Sequence, residues 1–253
     1  MFGFHFSPLN EREIVDEITR PQEPGARRVN LLVTANSDHV GRLTMDEEFL
    51  RAYRYAAIRT ADGFLVHYYT LLRGDRVPRV TGCAILAELM RNRDLHEQRL
   101  FFVADSEATA LGLQNWAARR EIPAGQFEIE IPPYRFEHDR GYTDALVGRI
   151  REFAPTILIM GVGAPKSEKF AYAHRAGLPA CWVLNVGEAV KIEAGVKKRA
   201  PVVVQRMNLE WFWRLAHEPR RLIGRYTWDM RRFLIAILQD LRGLYDNPQQ
   251  RIP

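Results

Sequence analysis

The chain has 253 residues and a net charge of +5, which suits one large α/β domain or one domain with an appendage. Its two cysteines, Cys83 and Cys181, lie in apolar surroundings without metal-ligand spacing, which argues against a disulfide scaffold and favours a reducing compartment. No apolar run approaches the length of a membrane span, and no basic stretch followed by an apolar segment marks a signal peptide. Lys and Arg gather after Lys197, which indicates an anionic partner for that end.

The first half of the chain alternates apolar runs with amphipathic stretches. We predict a short helix at Leu9–Ile18, a strand at Val29–Val33, a helical stretch at His39–Tyr55, a second strand at Ala56–Thr60 and an amphipathic helix at Cys83–Arg91. An apolar segment, Phe64–Leu72, follows the second strand and has no hairpin partner. This order is typical of strand–helix–strand units.

The second half continues this alternation as far as residue 186. The pattern predicts strands at Arg99–Ala104, Phe127–Ile131, Ile157–Met160 and Ala180–Val186, with helices at Glu107–Arg120, Tyr142–Phe153 and Lys166–Ala176. Strands that alternate with helices form a parallel sheet covered by helices on both faces. We therefore predict an α/β core over residues 1–196.

Polar side chains follow the first two predicted strands. Thr34 and Asn36 come after the first strand and before a helical stretch, which they could simply cap. Asp62 comes after the second strand and before Gly63, and such an Asp-Gly pair is commonly only a turn. Because ligands bind at the carboxyl ends of strands in open α/β sheets, the alternative is a ligand site in which Asp62 is a base.

The turn after the strand Ile157–Met160 is a candidate anion site. Gly161 and Gly163 let the backbone approach a ligand closely, and Pro165 is tolerated where a helix begins. Backbone N–H groups and the positive end of the helix dipole then face outward, where α/β proteins hold phosphates. The alternative is a tight turn without a ligand, because the glycines match neither the dinucleotide fingerprint nor a P-loop.

The character of the chain changes after Gly187. An aromatic, helical stretch at Leu209–Leu215 precedes a long helix whose apolar residues recur at steps of three and four: Leu222, Tyr226, Met230, Phe233, Ile237 and Leu241. Arg221, Arg225 and Arg232 lie on a different stripe. For this basic appendage, residues 197–253, three alternatives stay open: a helix packed on the core, a helix on an anionic membrane surface, or arginines that close over a phosphorylated substrate.

Six short motifs stand in a fixed order along the chain. They are Thr34-Ala35-Asn36, Ala61-Asp62-Gly63, Arg79-Val80-Thr81-Gly82, Gly161-Val162-Gly163-Ala164-Pro165-Lys166-Ser167-Glu168, Val186-Gly187 with Arg199-Ala200-Pro201, and the segment Leu209–Tyr226. In this order they resemble the motifs of the WecG/TagA/CpsF family of bacterial glycosyltransferases, glycosyltransferase family 26. The resemblance runs from about Val29 to Phe233, and the long C-terminal motif makes it distinctive.

The resemblance implies the inverting transfer of a sugar from a UDP-sugar to a saccharide on a polyprenyl diphosphate lipid, in the synthesis of cell-surface polysaccharides. It implies a Rossmann-like core and an appendage that contacts the membrane and helps complete the active site. The protein is then expected to be cytoplasmic and bound peripherally to the inner face of the cell membrane. A nucleic-acid partner is not expected, and a homo-oligomer is left open.

The resemblance also assigns roles to residues. Asp62 is the expected catalytic base, with Thr34 and Asn36 beside it. Substrate contacts are expected from the later motifs, at Arg79, Gly161, Gly163, Pro165, Lys166, Glu168, Asn185, Gly187, Arg199, Arg214, Arg221 and Arg225. Inversion needs one base for the acceptor hydroxyl, and the nucleotide diphosphate leaving group needs cations or N–H dipoles. Because no Asp-x-Asp pair or His/Asp cluster stands at a strand end, we expect arginines in place of a metal ion, and no cofactor.

Several positions depart from the family pattern. Ser167 stands in place of a usual glutamine, Glu188 in place of a glycine and Lys191 in place of an aspartate, and a usual Gly-Gly pair is Ala104-Asp105. These changes leave the identity of the donor sugar open. Two alternatives to an ordinary family member stay open: one with an unusual donor such as a uronic acid, and one that is inactive.

Three other classes of protein compete. The presence of both Asp62 and the basic appendage argues against a non-catalytic nucleotide-binding or regulatory protein on the same fold. A dinucleotide oxidoreductase is opposed because no GxGxxG follows the first strand. The basic, aromatic tail also fits a nucleic-acid binder, but its regular apolar stripe favours a packed or membrane-facing helix.

Overall fold

The computed structural model describes residues 1–21, 29–207, 210–217 and 219–245. Its strands are β1 Asn30–Ala35, β2 Ile58–Ala61, β3 Leu100–Val103, β4 Phe127–Glu130, β5 Ile157–Met160 and β6 Trp182–Asn185. All pair in parallel, in one sheet of order β2-β1-β6-β5-β3-β4. The predicted α/β fold with a Rossmann-like parallel sheet is confirmed.

Helices cover both faces of this sheet. Their bounds are α1 Glu11–Thr19, α2 Ser37–Leu43, α3 Glu47–Tyr55, α4 Phe64–Leu72, α5 Gly82–Arg91, α6 Glu107–Arg119, α7 Arg140–Phe153, α8 Lys166–Ala173, α9 Ala189–Glu193, α10 Val202–Arg206, α11 Glu210–His217 and α12 Pro219–Leu241. Short 3-10 helices lie at Arg93–Glu97, Ala124–Gln126 and Phe136–His138.

The helical stretch predicted at His39–Tyr55 is two helices, α2 and α3. The side chain of Asp46 accepts a hydrogen bond from the backbone N–H of Phe49 at 3.0 Å and so starts a new helix there. The backbone N–H of Thr44 bonds back to the carbonyl of Arg42 and ends α2. The single-helix prediction was wrong because the capping aspartate lies inside an otherwise continuous amphipathic pattern.

The core lies on both faces of the sheet. Along β1, Leu31 and Val33 belong to one apolar cluster, and Leu32 belongs to the other. All three side chains are fully buried. Strands buried on both faces are apolar at nearly every position, which is why the runs of apolar residues predicted the strands well.

The last helix, α12, packs on the core along its second half. Phe233 and Ala236 are buried in the same cluster as β1. Asp240 is also buried, and its carboxylate accepts hydrogen bonds from the Tyr69 hydroxyl at 2.7 Å, from Arg73 at 3.0 Å and from the backbone N–H of Phe2. This buried carboxylate ties the N-terminus, α4 and α12 together.

Candidate active site

Four neighbouring strands end along the same edge of the sheet. Ala61 of β2 pairs with Ala35 of β1, and Asn185 of β6 pairs with Met160 of β5. The residues that follow these four ends are Asp62, Asn36, Val186-Gly187 and Gly161. Adjacent strands are about 4.8 Å apart, so the four ends span about 14 Å. Four of the six predicted motifs therefore lie along one edge of the sheet.

Asp62 is held against the turn that follows β1. The backbone N–H groups of Asp62 and Gly63 donate to the Ala35 carbonyl at 2.9 and 3.0 Å. A Cβ atom at position 63 would lie 3.0 Å from the Asn36 Cα, so glycine permits this close approach. The Asp62 carboxylate accepts a hydrogen bond from the Gly82 N–H at 3.1 Å. The structure thus fixes a partly buried carboxylate beside Asn36.

Thr34 and Asn36 lie where β1 passes into α2. Thr34 is buried in β1, one residue before the strand ends at Ala35. The Asn36 side chain accepts a hydrogen bond from the His39 N–H at 3.0 Å and caps α2. The capping alternative is therefore observed for Asn36. A catalytic role for either residue stays a prediction.

The glycine turn after β5 is open to solvent on one side. The N–H of Gly161 donates to the Val103 carbonyl at 2.8 Å, and a Cβ atom at position 161 would lie 2.9 Å from that oxygen. Gly163 has a φ of +81°, and a Cβ atom there would meet nothing within 4 Å. Pro165 immediately precedes α8, which Lys166 begins. Lys166 makes no hydrogen bond or ion pair through its side chain with the described residues. An available ammonium, open space and a helix N-terminus together suit an anion.

The turn after β6 leans against this glycine turn. Gly187 has a φ of +51°, its N–H donates to the Met160 carbonyl at 3.1 Å, and a Cβ atom at position 187 would lie 3.4 Å from the Gly163 Cα. Asn185 is buried, and its side-chain amide donates to the Leu32 carbonyl at 3.1 Å. Its Oδ1 atom has no hydrogen-bond partner among the described residues. Because β6 lies between β5 and β1, the turn after β6 stands between the glycine turn and the end of β1.

Glu168 and Ser167 lie behind the glycine turn. Glu168 is only 1% exposed, and burial raises the pKa of its carboxyl to about 8. Its Oε2 atom lacks a hydrogen-bond partner within the described ranges. The Ser167 hydroxyl donates to the Gly163 carbonyl at 3.1 Å, so this departure from the family pattern supports the turn itself. Substrate contact by Glu168 stays a prediction.

The other departures from the family pattern form ion pairs. Lys191 of α9 lies 2.5 Å from the carboxylate of Asp105, and Lys197 lies 2.7 Å from that of Glu188. Burial opposes ionisation of Asp105, but the hydrogen bond from Lys191 helps to hold its pKa below the ordinary value. Val190, the residue before Lys191, packs close to the glycine turn, since a Cβ atom at position 161 would lie 3.1 Å from the Val190 Cβ. Each unusual charge near the glycine turn is thus matched by an opposite charge.

Arg79 joins the Asp62 turn to the appendage. Its Nε donates to the backbone carbonyl of Asp62 at 2.8 Å, and its Nη2 donates to the carboxylate of Glu210 at 2.6 Å. Glu210 belongs to the first turn of α11 and was not among the predicted site residues. The sequence signal that could have indicated Glu210 is its position in the C-terminal motif, Leu209–Tyr226. Arg199 lines the same cleft as Arg79 and Glu210.

The appendage presents a mixed surface. Arg214, Arg221 and Arg225 belong to α11 and α12, but their side chains lie outside the described residues. Among the described side chains of α12, five apolar ones are about half-exposed or more: Ile223, Trp228, Leu234, Leu238 and Leu241. Within the described ranges, no helix combines the length and the apolarity needed to cross a bilayer. In those ranges no group of three or more His, Cys, Asp or Glu side chains is arranged to hold a metal ion.

Comparison with known proteins identifies the family. The model of the glycosyl transferase WecG/TagA/CpsF family matches residues 1–247. The chain belongs to this family. It is therefore a glycosyltransferase, and the edge of the sheet with Asp62 and the glycine turn is its candidate active site.

Individual relatives give a narrower comparison. The chain is 27% identical over 201 residues to the N-acetylglucosaminyldiphosphoundecaprenol N-acetyl-beta-D-mannosaminyltransferase of Staphylococcus aureus strain MW2. The aligned region covers 77% of this chain and 74% of that protein. The protein of the same name from strain MRSA252 is 28% identical over the same shares of the two chains. The aligned region therefore spans about three quarters of the length of each of these relatives.

Proposed function

We propose that this glycosyltransferase moves a sugar from a UDP-sugar to a saccharide carried on a polyprenyl diphosphate lipid, with inversion at the anomeric carbon. The observation that carries the proposal is the shared edge of the sheet. A carboxylate held by a backbone N–H, Asp62, and a candidate anion-binding turn, Gly161 to Gly163, lie along the same four strand ends. The names of the relatives support a lipid diphosphate acceptor.

The chemistry needs one displacement. The acceptor hydroxyl oxygen attacks the anomeric carbon while the bond from that carbon to the β-phosphate oxygen of UDP breaks. The hydroxyl proton passes to the Asp62 carboxylate, and UDP leaves with the bonding electron pair. The N–H groups of the glycine turn, the N-terminus of α8 and the Lys166 ammonium are suited to stabilise the charge on the leaving diphosphate. This arrangement of cationic and N–H groups supports transfer without a metal ion.

We also propose that the enzyme works at the inner face of the cell membrane. The half-exposed apolar side chains of α12, among them Trp228 and Leu238, stand on the same helix as the exposed Arg231. Apolar and aromatic side chains next to basic ones are typical of helices that lie on an anionic bilayer surface. The lipid-linked acceptor and the appendage would then meet at that surface.

A transfer assay tests the proposal. UDP release is measured with a panel of UDP-sugars in the presence and absence of N-acetylglucosaminyl diphosphate carried on a lipid. Wild-type protein should release UDP in an acceptor-dependent manner, and Asp62→Asn should not. Asp75→Asn, in an exposed loop, is the matched control and should retain turnover. If UDP binds but no donor is turned over, the non-catalytic nucleotide-binding alternative is favoured.

A further inference from the structure

A polar cleft of about 280 Å³ lies between the core and the appendage. Its walls include Glu11, Arg79, Thr81, Arg199, Gln205 and Glu210. These side chains come from α1, from the loop before α5, and from the segment that runs from α9 into α11. The cleft therefore exists only because the appendage lies beside the core.

This cleft adjoins the candidate catalytic base. Arg79, in its wall, donates a hydrogen bond to the Asp62 carbonyl at 2.8 Å. The N–H that holds the Asp62 carboxylate belongs to Gly82, the residue that follows Thr81. A ligand in the cleft would thus contact the same short loop, Arg79 to Gly82, that orients Asp62. The glycine turn, the candidate anion site, follows β5, and two strands separate β5 from β2 and Asp62 in the sheet.

The charges in the cleft are balanced. Arg79 and Glu210 form an ion pair of 2.6 Å, and their side chains are only 17% and 21% exposed. Arg199 has a buried Nε atom without a hydrogen-bond partner among the described residues. Glu11 adds a carboxylate and Gln205 adds an amide. The cleft thus offers several donors and several acceptors with little net charge.

These features match a neutral sugar ring better than a phosphate. Each sugar hydroxyl both donates and accepts, and so it can use arginine and glutamate side chains together. A diphosphate would face the carboxylate of Glu210, which repels it. The volume of about 280 Å³ lies just below the range of about 300–1,000 Å³ that is usual for small-molecule sites, so it suits a small ligand such as a sugar ring.

We infer that the cleft binds the sugar of the acceptor, with Glu210 as a residue that orients Arg79 and contacts an acceptor hydroxyl. This inference rests on the proposed glycosyl transfer and assigns one of its two substrates to a place. It gives the appendage a task at the acceptor that is separate from membrane contact and from diphosphate binding.

Binding measurements with two lipids test the inference. One lipid is N-acetylglucosaminyl diphosphate on a short polyprenyl chain, and the other is the same lipid diphosphate without the sugar. Glu210→Gln should weaken binding of the sugar-bearing lipid roughly 10-fold or more, since a hydrogen bond to a charged group is lost. Binding of the sugar-free lipid and of UDP should not change, and Glu210→Asp should recover part of the loss.

The controls separate the possible failures. Glu47→Gln breaks the exposed ion pair between Arg51 and Glu47 and should leave all three affinities unchanged. Equal weakening of both lipids by Glu210→Gln would mean that the residue only fastens the appendage, and unchanged binding of both would exclude the cleft as the sugar subsite. If wild-type protein discriminates the two lipids but does not bind UDP, the proposed donor is wrong while the acceptor subsite stands.

Discussion

Glu168→Gln is expected to remove a large pH dependence of stability. Glu168 is fully buried behind the glycine turn, and burial raises its pKa from 4.5 to about 8. The folded state holds the proton of the Glu168 carboxyl more tightly than the unfolded state does. The contribution of Glu168 to the free energy of unfolding is therefore complete below about pH 4.5. That contribution is lost progressively as the pH rises through about 8.

The size of the effect follows from the shift. At 1.36 kcal/mol per pKa unit, a shift from 4.5 to about 8 corresponds to roughly 3–4 kcal/mol lost between pH 5 and pH 8. Glutamine stays neutral and has nearly the same shape, so this loss should be absent from the variant. For a protein whose total stability is on the order of 5–15 kcal/mol, the difference is easily measured.

Urea unfolding at pH 5, 6.5 and 8 measures the difference. The free energy of unfolding of Glu168→Gln, relative to wild type, should rise steadily across this series. Glu152→Gln, at an exposed position of α7, is the matched control and should follow wild type. Parallel curves for wild type and Glu168→Gln would show that Glu168 is already ionised in the folded protein, and the account of a neutral buried acid would be wrong.

The other predictions concern the site and its support. Asp62→Asn should leave UDP binding intact while transfer falls by roughly 10²–10⁴-fold, and near wild-type turnover would exclude Asp62 as the base. Gly163→Ala should weaken UDP binding in calorimetry and cost about 1–2 kcal/mol of stability, because its φ is +81°; unchanged UDP affinity would move the phosphate site elsewhere. Asp240→Ala should lower the free energy of unfolding by about 3 kcal/mol, since Tyr69 and Arg73 lose a buried partner; a change below about 0.5 kcal/mol would contradict this. Transfer should persist in excess EDTA, and loss restored by Mg²⁺ or Mn²⁺ would overturn the metal-free proposal.

The sheet was predictable because its strands are short apolar runs buried on both faces. The strand Ile157–Met160 was predicted with its observed bounds, and the others differ only at their ends. The order of strands in the sheet could not be predicted in this way, because it depends on contacts between elements far apart in the chain. The break between α2 and α3 was missed because an acidic cap at Asp46 resembles an ordinary exposed helix residue.

Parts of the candidate site were predictable for the same reason. Asp62 and Gly161 follow strands, so their position at the carboxyl edge required only that the sheet be parallel. The ion pair between Asp105 and Lys191 joins positions that only the fold brings together. The contact of Glu210 with Arg79 is likewise non-local. Local patterns carry no information about such pairs, so the sequence indicated each charge without its partner.

Acceptor-dependent release of UDP tests the proposed glycosyl transfer most directly. Purified full-length protein is incubated with UDP-sugars, with and without N-acetylglucosaminyl diphosphate on a lipid, and the products are analysed for the anomeric configuration of the new linkage. We expect UDP release that requires the acceptor, a product of inverted configuration and no transfer by Asp62→Asn. A product of retained configuration, or full activity of Asp62→Asn, would contradict the proposal.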